Sequence, residues 1–121
     1  MEELWDYKIE LPFKYSAKID ECLRLIIDRL PEVKKIYLFG SCARKEMKWD
    51  SDIDIALITE RPLMSPSLRG SITSDLEEYS TMGVKADIIF RTEDFSDFSP
   101  TFKKLFNLDK KLIWRCIDVK E

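Results

Sequence analysis

The sequence predicts a layered domain of the α/β (α+β) class, with a small mixed sheet of three to four strands flanked by helices. Three observations carry that reading. Short β-branched and aromatic runs alternate with segments of helical period. Pro31, Gly40 and Gly83 fall at the junctions between those runs. The 121 residues are enough for one core and short for two. The order is helix, strand, short helix, strand, helix, strand, helix, without repeat or low-complexity segment, and strands that alternate with helices pack in layers.

Residues 1 to 15 show no clear period. Pro12 and the scattered aromatics Trp5, Tyr7, Phe13 and Tyr15 predict an N-terminal arm, ahead of a single domain over 16–121. Ser16 stands where a cap would start a helix running to Leu30. Its apolar positions Ile19, Cys22, Leu23, Ile26, Ile27 and Leu30 share one face, and Pro31 ends it. Lys35 to Phe39 predicts a buried strand that breaks into a turn at Gly40-Ser41. Residues 42 to 48 are good helix formers and predict a short helix, followed by a loop at Trp49-Asp50-Ser51.

Asp52 to Thr59 predicts a second strand, with Ile53, Ile55 and Leu57 on one face. A loop through Pro62, Ser65, Pro66 and Ser67 precedes a helix marked by Leu68, Ile72, Leu76 and Tyr79 and stopped at Gly83. Val84 to Phe90 predicts a third strand. Ser99-Pro100 is a cap followed by a first-turn proline, opening a helix with Phe102, Leu105, Phe106 and Leu112 inside. The aromatic series Phe95, Phe98, Phe102 and Phe106 predicts core. Residues 112 to 119 suit a helix end and a short strand equally.

Composition narrows the chemistry. Net charge is −3, so no basic excess signals nucleic acid, although 20 Lys and Arg leave room for a local patch. There is no histidine, which removes Ser-His and Cys-His catalytic pairs and His-ligated zinc. Acid–base and metal chemistry must then run on carboxylates, which prefer hard ions such as Mg²⁺ or Mn²⁺. Cys22, Cys42 and Cys116 are odd in number and widely spaced, which fits reduced thiols in a cytoplasmic protein. The acidic N-terminus lacks a signal-peptide core, and no apolar run reaches membrane-spanning length.

Two features carry chemistry. Gly40-Ser41 ends a strand and opens a helix. The glycine lets the backbone turn sharply and approach a ligand, while the helix start offers free N–H groups to a phosphate. Arg44, one turn on, is placed for a charge-assisted contact, and Ser51 for shaping the entry to the carboxylates. The second feature is Asp52-Ile53-Asp54. Residues i and i+2 of a strand face one side, with Cα atoms about 7 Å apart, a spacing that suits ions bridged by substrate phosphate. Asp87, between Ala86 and Ile88, joins them if its strand neighbours theirs. Asp50 reads as a turn former, and Lys45 and Lys48 as a solvated face or a nucleotide-steering pair.

Gly40-Ser41, ten residues, then Asp52-Ile53-Asp54 resembles the signature of the DNA polymerase beta-like nucleotidyltransferase superfamily. Arg44 after Cys42-Ala43, and Ser51 before Asp52, resemble its minimal nucleotidyltransferase members. The resemblance is firm over 34–59 and extends to Asp87 as the later third carboxylate. One departure is Lys45, where relatives often have Gly. The resemblance implies the nucleotidyltransferase fold, metal binding by Asp52, Asp54 and Asp87, and triphosphate binding by Gly40 and Ser41. It implies two Mg²⁺ (or Mn²⁺) ions and ATP as donor. It also implies a HEPN-type helical partner, to which AMP is transferred so that the chain serves as an antitoxin. The chain has no room for a large acceptor domain, so a separate molecule is expected to offer the hydroxyl. The competing expectation is a non-catalytic nucleotide-binding module that occludes its partner through exposed apolar positions. Self-association stays open on either expectation.

Overall fold

A computed structural model describes residues 3–48, 52–61, 66–78, 83–93 and 99–116. The elements run α1 (Tyr7–Glu10), α2 (Phe13–Arg29), β1 (Val33–Phe39), α3 (Gly40–Ala43), β2 (Ile53–Thr59), α4 (Pro66–Glu78), β3 (Ala86–Thr92), α5 (Pro100–Asp109) and β4 (Lys111–Arg115). The four strands form one mixed sheet in the order β3-β2-β1-β4. β1 pairs antiparallel with β2 and β4, and β2 pairs parallel with β3.

Strand alternation sorts the side chains between two faces. One face carries Ile36 and Leu38, Ile53, Ile55 and Leu57, Ala86 and Ile113. It packs against Ile19, Cys22, Leu23 and Ile26 of α2 and Ile72 and Leu76 of α4. The other carries Tyr37, Ala56, Ile58 and Leu112 and packs against Phe106 of α5, with Phe39, Ile89 and Phe102 at its margin. The result is three layers, with α2 and α4 on one side of the sheet and α5 on the other. Ser99 caps α5 as its sequence predicts, its hydroxyl accepting from the Phe102 N–H at 3.1 Å. One buried charge ties the α2–α4 layer: Lys18 Nζ donates to the Leu76 carbonyl at 3.1 Å and pairs with Glu21 at 3.7 Å.

Several boundaries differ from the sequence expectation, each for a physical reason. α2 starts at Phe13 rather than after Ser16, because the Pro12 carbonyl already accepts from the Tyr15 and Ser16 N–H groups. Ser16 does not cap; its hydroxyl donates back to the Phe13 carbonyl within the helix. Tyr7, Leu11 and Tyr15 are buried in the main core, and the Trp5 N–H donates to Leu112 on edge strand β4 at 2.7 Å. Ile27 is 39% exposed and so leaves the apolar face assigned to it. The helix expected over 42–48 is the shorter α3, which starts at Gly40 and closes after Ala43. Proline opens α4 at Pro66, two residues ahead of Leu68. β3 is displaced two residues toward the C-terminus, and Leu112 lies in β4 rather than in α5. Trp49, Asp50, Ser51, Tyr79, Phe95, Phe98 and 117–119 lie outside the described residues.

Candidate active site

The site forms where β1 ends. Gly40 has φ +74°, a left-handed conformation that glycine adopts without strain. It also lies directly against Asp54: a Cβ built on Gly40 would fall on the Asp54 carboxylate, far inside van der Waals contact. The glycine is therefore needed twice, for the turn and for the approach. α3 follows at once and closes with two bonds. The Glu46 N–H donates to the Ser41 carbonyl at 2.8 Å and the Lys45 N–H to the Cys42 carbonyl at 3.1 Å. This is the Schellman arrangement, and its left-handed position falls on Lys45, at φ +58°. The departure noted in the sequence thus falls on a residue whose backbone favours glycine.

Asp54 is the second residue of β2 and stands in register with Asp87 of β3 and with Phe39 of β1. Adjacent strands lie about 5 Å apart, so the two carboxylates are neighbours across the ladder. Both project to the α5 face, because Ile53 and Ile55 on one strand and Ala86 on the other take the opposite face. Asp52 immediately precedes β2 and is exposed, as is Asp87; Asp54 is half-buried. Burial pushes the Asp54 carboxyl up to about 6, with Asp87 and then Asp52 adding repulsion and Arg44 opposing it. Asp87 and Asp52 thus both lie near enough to act on Asp54.

The donor set fits a hard divalent ion. It is made of carboxylates, it is overcharged without a cation, and a glycine without a side chain leaves room against one of its members. Among the described residues no group of three or more His, Cys, Asp or Glu side chains is placed to hold a metal ion, so Asp52, Asp54 and Asp87 do not converge on one ion as the sequence reading expects. An open site of this kind takes part of its coordination from substrate phosphate and water.

Arg44 lies beside this centre, but its guanidinium pairs with Asp109 at the end of α5, at 2.7 Å, and more loosely with Glu46 at 3.5 Å. The bond to Asp109 is the main reason its proton affinity is raised. Cys42 is fully buried, and its thiol donates to the Asp52 carbonyl at 3.7 Å. Burial, then Asp54 and Asp52, push that thiol up to about 11, so it remains protonated and acts as a donor that steadies Asp52. Ser41 is half-buried at the start of α3. The structure thus places Gly40 against Asp54 and Asp87 in register beside it, with Asp52 and Arg44 near enough to act on Asp54, while Ser41 follows Gly40 and Ser51 lies outside the described residues. Sequence reasoning missed Asp109, Phe39 and the Cys42 bond. The Asp109 pairing joins residues 65 apart, and no local pattern announces it.

Carboxylates beside a glycine turn are one arrangement used by proteins that move phosphoryl or nucleotidyl groups. The chain is one of these: it belongs to the family described as Polymerase beta, Nucleotidyltransferase, whose pattern it matches over residues 21–114. It is 34% identical over 106 residues to a protein of Methanocaldococcus jannaschii provisionally described as a protein adenylyltransferase. That match covers 84% of this chain and 98% of the relative.

Among solved structures, the fold is similar to a toxin–antitoxin with AMP-PNP at a TM-score of 0.62 and 24% identity, covering 83% of this chain and 73% of that one. It is similar at 0.61 and 24% to a provisionally described nucleotidyltransferase of Sulfolobus solfataricus, covering 92% and 89%. It is similar at 0.59 and 21% to a tri-AMPylated Shewanella oneidensis HEPN toxin in complex with MNT antitoxin, covering 84% and 72%. At such identities the likeness speaks for the fold. Among the described residues, no helix is long and apolar enough to cross a membrane.

Proposed function

We propose that this nucleotidyltransferase transfers AMP from ATP to a hydroxyl on a HEPN-type partner protein and silences it, as a cytoplasmic antitoxin. The observation that carries the reading is the in-register pair Asp54 and Asp87 with Gly40 packed against Asp54. A protein acceptor is supported by the description of the Methanocaldococcus jannaschii relative, and the antitoxin role by those of the toxin–antitoxin structures.

In this reading Asp52, Asp54 and Asp87 would hold two Mg²⁺ (or Mn²⁺) ions, which would neutralise charge on the α-phosphate and the leaving pyrophosphate. The backbone N–H groups at Gly40-Ser41 orient the triphosphate, and Ser51 lines its entry. Arg44 exchanges its pairing with Asp109 for a phosphate oxygen. The acceptor oxygen forms a bond to the α-phosphorus, the bond from that phosphorus to the bridging oxygen breaks, and pyrophosphate leaves. Asp87, the carboxylate on the outer strand and exposed, takes the hydroxyl proton.

A second reading, in which the chain only occludes its partner, draws on Leu105 and Leu108 of α5, which are 55% and 72% exposed. One experiment separates the two. The protein is incubated with Mg²⁺, ATP and the product of the adjoining reading frame, and intact masses are recorded. Added AMP that disappears with Asp52→Ala and Asp54→Ala supports transfer. No adduct, with partner binding unchanged in both variants, supports occlusion.

A further inference from the structure

The segment that leads from the glycine turn toward Asp52 is mostly exposed over its described residues, where Met47 packs against the main core. Its described part, residues 44–48, borders an open cleft of about 540 Å³ lined by Glu10, Pro12, Tyr15, Lys45, Met47 and Lys48 among others. Arg44, Lys45, Glu46 and Lys48 are exposed. Such a segment has few apolar contacts to hold it and opens easily unless hydrogen bonds fix it. Arg44 and Asp52, both at the site, lie at its two sides.

The geometry points to Tyr15 as a positioning residue for the nucleotidyl-transfer site, acting through this segment. Tyr15 is 2% exposed, wedged in the core at the start of α2, and its hydroxyl donates to the Lys48 carbonyl at 2.8 Å. The ring is anchored by packing, so the hydroxyl offers the Lys48 backbone a fixed point, beside the packing of Met47 on the same core. A second tie is the pair of Lys45 Nζ with Glu10 at 3.0 Å, but it is exposed and screened by solvent. Both ties come from residues that precede the family match at 21–114. The N-terminal stretch therefore serves the site rather than merely covering the core. Bonds inside α3 fix Gly40 and Ser41, and Cys42 steadies Asp52. Tyr15 supplies the anchor between them.

This inference rests on the nucleotidyl-transfer reading and is tested on the full chain with Tyr15→Phe, which keeps the ring and removes the donor. Tyr7→Phe is the control. Its hydroxyl donates to Asp20 rather than to the 44–48 backbone. Two quantities are read: amide hydrogen exchange over 44–48, and Mg²⁺–ATP affinity by calorimetry. Tyr15→Phe is expected to speed exchange there by about three- to tenfold and to weaken Mg²⁺–ATP binding by a similar factor. Tyr7→Phe is expected to lower thermal stability comparably while leaving both readings at wild-type values. Wild-type exchange or affinity in Tyr15→Phe, or equal changes in Tyr7→Phe, overturns the inference alone. A wild-type chain that binds no Mg²⁺–ATP overturns the transfer reading, and this inference with it.

Discussion

Two residues with positive φ frame the site, and they make opposite predictions. At Gly40 a methyl group meets both the left-handed backbone and the Asp54 carboxylate. Gly40→Ala should cost about 2–4 kcal/mol, read from urea midpoints, and should also abolish Mg²⁺–ATP binding. At Lys45 the side chain strains a left-handed turn that glycine would relax. Lys45→Gly should gain about 0.5–1 kcal/mol in the same measurement, after the loss of the exposed pair with Glu10. The sequence made Gly40-Ser41 legible because a glycine after an apolar run is a local signal. It showed Lys45 only as a departure from relatives; the reason, a Schellman closure after a single helical turn, needed the coordinates. The partner of Arg44 was illegible, since Asp109 approaches it only when α5 docks on the sheet.

At the scale of elements, β2 and β3 position the candidate carboxylates Asp54 and Asp87. Alternation along β2 is a local property, and it predicts a shared side for Asp52 and Asp54 if the strand begins at Asp52; β2 begins at Ile53, so Asp52 lies just ahead of it. The place of Asp87 was conditional, because strand adjacency is set by packing rather than by any local pattern. The register Asp54 to Asp87 meets that condition. It also makes a pH prediction. The Asp54 carboxyl is raised from 3.8 to about 6, first by burial and then by Asp87 and Asp52. A raised acid binds its proton more tightly in the folded chain than in the unfolded one, so between those values the folded state holds the extra proton. For this group, stability in chelator is greatest below about pH 4 and declines as pH rises through about 6. Asp54→Asn should remove that decline. Near neutral pH it should stabilise the metal-free chain by about 1 kcal/mol, discounted for half exposure, and near pH 4 it should be neutral. Chemical denaturation at both pH values checks it. Beside these acids, α5 is fixed by aromatic edges: Phe106 meets Tyr37 at 5.6 Å and Phe39 at 5.4 Å. Phe106→Ala should cost about 3–5 kcal/mol and loosen the wall next to Asp54. The core role of Phe102 and Phe106 was legible from helical spacing. The end of α5 was not, because Leu112 suits a helix as well as the edge strand it joins.

Over the whole molecule, three layers place one polar cluster at the end of the sheet, on the face that α5 covers only in part. α2 and α4 supply the larger core, and the N-terminal stretch is stitched into it by Tyr7, Leu11 and Tyr15. The class of fold was legible because alternating periods dictate layers. The integration of residues 3–15 was not, because their contacts are irregular and long-range. In the proposed reading Asp87 carries the claim of chemistry rather than mere nucleotide binding, with Asp52, Asp54 and the glycine turn assigned to the metal–nucleotide complex. The most direct measurement is single-turnover AMP transfer to the partner by wild type and by Asp87→Asn, with Mg²⁺–ATP affinity recorded in parallel. Transfer is expected to fall by about 10² or more in Asp87→Asn while the nucleotide still binds. Transfer at the wild-type rate in that variant would contradict the three-carboxylate account.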